Sequence, residues 1–105
     1  FAAQVVAPGE VARFFDDLAC LAGYLKANRL AEGSAVFVTD HRSRAWVPAG
    51  AALYTRVPGL ATPMGSHLIA HADAASRDGD PAARGGTAVA ASEVFGPGLP
   101  ARSPR

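Results

Sequence analysis

The sequence predicts an α+β fold: an antiparallel sheet of hairpins with two β-β-α units, and a helix, Asp17–Asn28, packed on one face. Three observations carry this. Short β-favouring runs recur with turn residues between them, a single segment has sustained helical periodicity, and no repeat of 20–50 residues is present to build a solenoid. At 105 residues, half of them apolar, the chain suffices for one domain and one core, assigned to residues 1–95. Ala and Gly supply much of the apolar share, so the core is expected to be thin.

The elements follow in order. Ala2 to Val6 is a β run, Pro8-Gly9 a turn, and Val11 to Phe15 a returning strand. Asp16 and Asp17 then open the helix, where a carboxylate caps free amides and suits the positive end of the helix dipole. Leu18, Leu21, Ala22 and Leu25 recur at i, i+3, i+4 and i+7 and draw one apolar stripe. Lys26, Asn28 and Arg29 close it. Ser34 to Thr39 is the strongest strand, and Ala45-Trp46-Val47 is its return across the polar turn Asp40 to Ser43. Leu53 to Val57 and His67 to Ala72 form the next pair, and Asp73 caps a short helix ended by Gly79 and Pro81. Thr87 to Ala90 is a brief strand and Ser92 to Phe95 a turn. Residues 96–105, rich in Gly, Pro and Arg, are expected to form a disordered tail.

Composition excludes several functions. Ten basic residues against nine acidic give a charge of +1, with no basic face of the kind nucleic acid requires. The single cysteine, Cys20, allows no internal disulfide. The longest apolar runs fall well short of the ~20 residues of a membrane helix. The chain opens on Phe1 rather than on methionine, so it is read as a processed or excised piece.

The segment with most chemical content is Thr62-Pro63-Met64-Gly65-Ser66-His67, which holds the only methionine. Pro63 fixes its own φ and Gly65 permits a sharp bend, so Met64 sits on a punctuated turn rather than inside an apolar run. A thioether on a loop, with an imidazole three residues on, suits a soft ion, Cu(I) above all. The plainer alternative is a methionine that folds back to fill the core. His67 and His71 share a face of their strand but lie ~13 Å apart, so only one of them can join Met64. His67 is the nearer; His71 reads as a hydrogen-bonded, half-buried residue and His41 as a solvated turn residue. Cys20 follows two aspartates that oppose thiolate formation, so it reads as a structural thiol. Arg84-Gly85-Gly86 lacks the lysine and spacing of a phosphate loop.

Phe14-Phe15-Asp16-Asp17-Leu18-Ala19-Cys20, Val38-Thr39-Asp40, Trp46-Val47, Leu53-Tyr54 and Thr62-Pro63-Met64-Gly65 form a series. Through it the chain resembles the NosL family of accessory lipoproteins, which serve the maturation of bacterial nitrous oxide reductase. The resemblance runs from about Phe1 to Phe95. It implies a fold of β-β-α units, related to an organomercurial lyase domain. The implied role is that of a periplasmic, lipid-anchored copper chaperone and not an enzyme. Such a protein binds Cu(I) and passes it toward the reductase, with a membrane transporter complex as partner. Met64 matches the methionine of the family's TPMG loop and is the leading copper ligand, and His67 is added from geometry. Cys20 matches the cysteine of the FDD-x-x-C segment. The family's C-x-x-C-G-M motif and lipobox cysteine fall upstream of Phe1. Two rival readings stand beside this one. The first is a metal-free docking domain that contacts the transporter or the reductase. The second is a thiol-dependent enzyme, which requires an accessible Cys20 with a histidine within ~3 Å.

Overall fold

The computed structural model describes residues 1–99. It shows an α+β fold in which seven strands form two antiparallel sheets, joined by three short helices. Strands β1 (Ala3–Val6), β2 (Arg13–Phe15), β3 (Ala35–Thr39) and β4 (Trp46–Pro48) pair in the order β2-β1-β3-β4. Strands β5 (Leu53–Arg56), β6 (Leu68–His71) and β7 (Thr87–Val89) pair in the order β6-β5-β7. The expected units are both present. β1-β2 leads into helix α1 (Leu18–Ala27), and β5-β6 leads into helix α2 (Ala74–Asp78).

The division into two sheets is the main departure from the sequence reading. After β4 the small residues Ala49 to Ala52 turn the chain away, and β5 pairs with β6 and β7 rather than with β4. The sheets still meet. Asp40, just past β3, forms a parallel bridge to Ala70 of β6, and the His41 amide donates to the Ala70 carbonyl at 2.8 Å. Gly86 permits close packing before β7, since a Cβ there would collide with Thr55, Val57 and the Arg56 carbonyl.

Helix α1 forms where its stripe predicts. Asp17 is its N-cap, accepting from the Ala19 amide at 3.1 Å, and Asn28 is its C-cap. Leu18, Leu21 and Leu25 are buried in one core with Val5, Val36, Val38 and Val47 of the first sheet and Tyr54, Leu68 and Val89 of the second. Each such side chain contributes roughly 1.5–3 kcal/mol by leaving water. α1 therefore welds the two sheets together. Tyr54 spans this core, donating its hydroxyl to the Ala49 carbonyl at 2.6 Å and meeting Phe95 edge-on. Burial raises the Tyr54 phenol above its ordinary range.

At the C-terminal end, Ala91–Phe95 form helix α3 where a turn was expected. Phe95 is buried in the core, and that anchor favours a helical turn that local propensity alone does not specify. Gly96–Gly98 form a 3₁₀ turn and Leu99 packs half-buried against the core. The rest of the expected tail, 100–105, lies outside the described residues. Among the described residues no helix is long and apolar enough to cross a membrane.

Candidate metal centre

Two clusters of donor side chains flank strand β6. The first is the Thr62–His67 loop. The Gly65 amide donates to the Thr62 carbonyl at 3.1 Å, which closes a β-turn with Pro63 at its second position. Gly65 follows with φ +73°, open to glycine at no steric cost. Asp17 fixes the loop to the start of α1: its Oδ2 accepts from the Met64 amide at 2.6 Å while Oδ1 caps the helix. Burial pushes this carboxyl up. Hydrogen bonding from Ser66, from the Ala19 and Met64 amides and from Thr62 outweighs that effect and holds it at about 2.

The loop backbone is thus pinned while its methionine is not. Met64 is 63% exposed and does not fold back to fill the core. His67 is half-buried, with its backbone in the left-handed region at φ +59°. Its amide is held by the Thr62 hydroxyl at 3.2 Å, and its ring Nδ1 lies 2.8 Å from the Leu60 carbonyl. A carbonyl can only accept, so Nδ1 carries the proton and donates. In the neutral ring Nε2 then holds the lone pair, the arrangement that metal-binding imidazoles adopt.

Cys20 lies three residues beyond the Asp17 cap and is half-buried. Burial, then the charges of Asp16 and Asp17, raise its thiol above the ordinary value, which favours the thiol over the thiolate. No histidine hydrogen-bonds to it among the described residues, and the thiol-enzyme reading gains nothing from this geometry.

The second cluster lies at the far end of β6, and sequence reasoning missed it. His71 is fully buried rather than half-buried, and His41 turns inward rather than standing free in solvent. Both rings point at Asp80, which the sequence analysis did not single out. His41 Nδ1 is 2.7 Å and His71 Nε2 2.8 Å from the same oxygen, Asp80 Oδ2. Asp80 Oδ1 accepts from the Ala82 amide at 2.9 Å and so caps the 3₁₀ turn Pro81–Ala83. Burial raises the Asp80 carboxyl, but bonds from His71, His41 and the Ala82 amide, with the His41 charge, bring it down to about 2. Beside the cluster, Asp40 accepts from the amides of Arg42, Ser43 and Ala72 and from the Ser76 hydroxyl, all within 2.9 Å. These bonds overcome its burial and hold it far below the usual carboxylate range.

Asp80 gives one faint signal in the sequence, an aspartate followed by proline, which marks a helical-turn start. Nothing local tells that the two histidines converge on it. Comparison of the chain with protein-family models, curated proteins and solved structures finds no match.

Proposed function

We infer that this domain is a Cu(I) carrier of the NosL type, which takes copper at the Met64 loop and passes it toward nitrous oxide reductase. A membrane transporter complex is its partner, in the periplasm and on a lipid-anchored full-length protein. The single observation that carries the reading is the exposed thioether of Met64 on a backbone tied down by Asp17. A carrier needs a soft donor that is presented without being flexible and that releases its ion to a stronger site. His67 supports it as a second donor, since its Nδ1 is occupied and its Nε2 is left with the lone pair. The partners and the compartment rest on the sequence resemblance alone.

The test is a Cu(I) competition titration against a chromophoric chelator, comparing the native protein with Met64→Leu. That substitution keeps volume and apolarity, so a loss reports a donor rather than a damaged core. A fall in affinity of at least about tenfold is expected. Unchanged affinity removes Met64 from the site and advances the metal-free docking reading. That second reading has its own support. Phe14 and Trp46 are 64% and 44% exposed, with ring centroids 6.3 Å apart, on the side of the first sheet away from α1.

A further inference from the structure

We propose that His41, His71 and Asp80 form a second metal site, for a divalent first-row cation of the Zn²⁺ class, independent of the copper loop. Three observations lead to it. The donors come from three separate elements, with sequence separations of 39 and 9 residues to Asp80, yet one ligand atom from each lies within 4.8 Å of the others. The set is two imidazoles and one carboxylate, the three-ligand composition of zinc sites that keep an open fourth position. The third observation is the enclosure of the set: the side chains of His71 and Asp80 are 0% and 8% exposed, and His41 alone, at 26%, reaches solvent.

The metal-free arrangement also makes poor use of its groups. Both rings donate to one oxygen of Asp80, while the other oxygen is committed to Ala82. A cation seated between the three would accept a lone pair from each, the ring protons on His41 Nδ1 and His71 Nε2 moving to the other nitrogen of each ring. Tetrahedral coordination at ~2.0–2.1 Å separates ligand atoms by about 3.4 Å, so the present 2.7 and 2.8 Å contacts open by roughly 0.6 Å on binding. His41 can supply that movement. It sits on a turn, its side chain is 26% exposed, and it borders a cavity of about 280 Å³ shared with Thr39, Asp40 and Arg44. Ion entry would be from that side, where His41 alone of the three meets the cavity. The carboxylate of Asp80 offsets half of a 2+ charge inside the protein.

The donor chemistry fixes the class of ion. Two imidazole nitrogens with one carboxylate oxygen suit Zn²⁺, Co²⁺ or Ni²⁺; Ca²⁺ and Mg²⁺ call for oxygen cages, and Cu(I) prefers sulfur. The site is also separate from the copper loop, since Met64 and His67 precede β6 and His71 is its last residue.

The experiment titrates Zn²⁺ alone into the native protein by competition with a chromophoric chelator, then Co²⁺ with its visible d–d spectrum recorded. One Zn²⁺ per chain should bind, with the Co²⁺ spectrum of a tetrahedral nitrogen/oxygen site. His41→Ala and Asp80→Asn should each weaken Zn²⁺ at least ~10-fold, because even loss of a supporting partner costs that much. Circular dichroism confirms that each variant is folded, and His41→Ala, on the exposed turn, keeps the test available if Asp80→Asn is not. Met64→Leu should bind Zn²⁺ as the native chain does, which separates this site from the copper reading. Absence of saturable binding below about 1 mM overturns the proposal. So does native affinity in His41→Ala, or a loss of Zn²⁺ binding in Met64→Leu.

Discussion

The two ends of strand β6 solve the same problem in opposite ways. At each end a buried aspartate reaches across from the first half of the chain and holds the backbone beside the strand. Asp17 holds the Met64 amide before it, and Asp40 holds the Ala72 amide after it. Before the strand, the pinned backbone throws its side chain outward and Met64 stands in solvent. After the strand, the side chains turn inward and His71 is enclosed. A tethered backbone, then, does not decide whether a site faces water. That is decided by the neighbouring residues, Pro63 and Gly65 at one end and the packed contact of β3 with β6 at the other.

The sharpest way to break this comparison is at Asp40. Asp40→Ala leaves four donors without their acceptor, and each one that is buried costs about 1–3 kcal/mol. A loss of at least ~3 kcal/mol in denaturant unfolding is expected, and a loss under about 1 kcal/mol would show that water replaces the carboxylate. Asp17→Ala should follow at roughly 1–3 kcal/mol, as a helix cap and the Met64 tether go together. Its distinctive mark is local: hydrogen exchange at the Met64 amide should quicken more than global stability falls. Equal changes in both would mean that the loop has no independent tether.

Acid addresses both ends at once. The folded-state values of Asp17 and Asp80 are depressed to about 2, below the unfolded reference of 3.8. For a depressed carboxyl, the stabilisation is fully present above the unfolded value and disappears as pH falls through the folded one. Stability should therefore drop between about pH 4 and pH 2, with a shallower slope in Asp17→Ala than in the native chain. Identical slopes would contradict the assignment. The smallest expected effect is that of Met64→Leu on stability, within ~0.5 kcal/mol for a side chain so exposed. A larger loss would place the thioether in contact with the core.

What the sequence disclosed follows the range of the interactions. The exposure of Met64 was legible because Pro63 and Gly65 are its immediate neighbours. The α1 stripe and the Asp17 cap were legible for the same reason, since capping and periodicity act over three or four residues. That Asp17 also grips Met64 was not, because the partners are 47 residues apart. The division into two sheets turns on whether β5 pairs with β4 or with β6 and β7. Ala49 to Ala52 carry no pattern that expresses that choice. His41 and His71 were visible only as isolated histidines. Their shared partner depends on Asp40 bridging to Ala70, a contact between sheets that no local signal encodes.

The backbone of His67 decides how the imidazole can be removed without disturbing the loop. It occupies a left-handed conformation that glycine adopts freely and an L-residue adopts at roughly 1–2 kcal/mol. Substitution by glycine would return that energy and keep the amide's bond to the Thr62 hydroxyl, giving up only the ring's bond to the Leu60 carbonyl, so the fold itself is nearly indifferent to the exchange. His67→Gly is therefore the variant that removes the imidazole while leaving the fold of the loop in place.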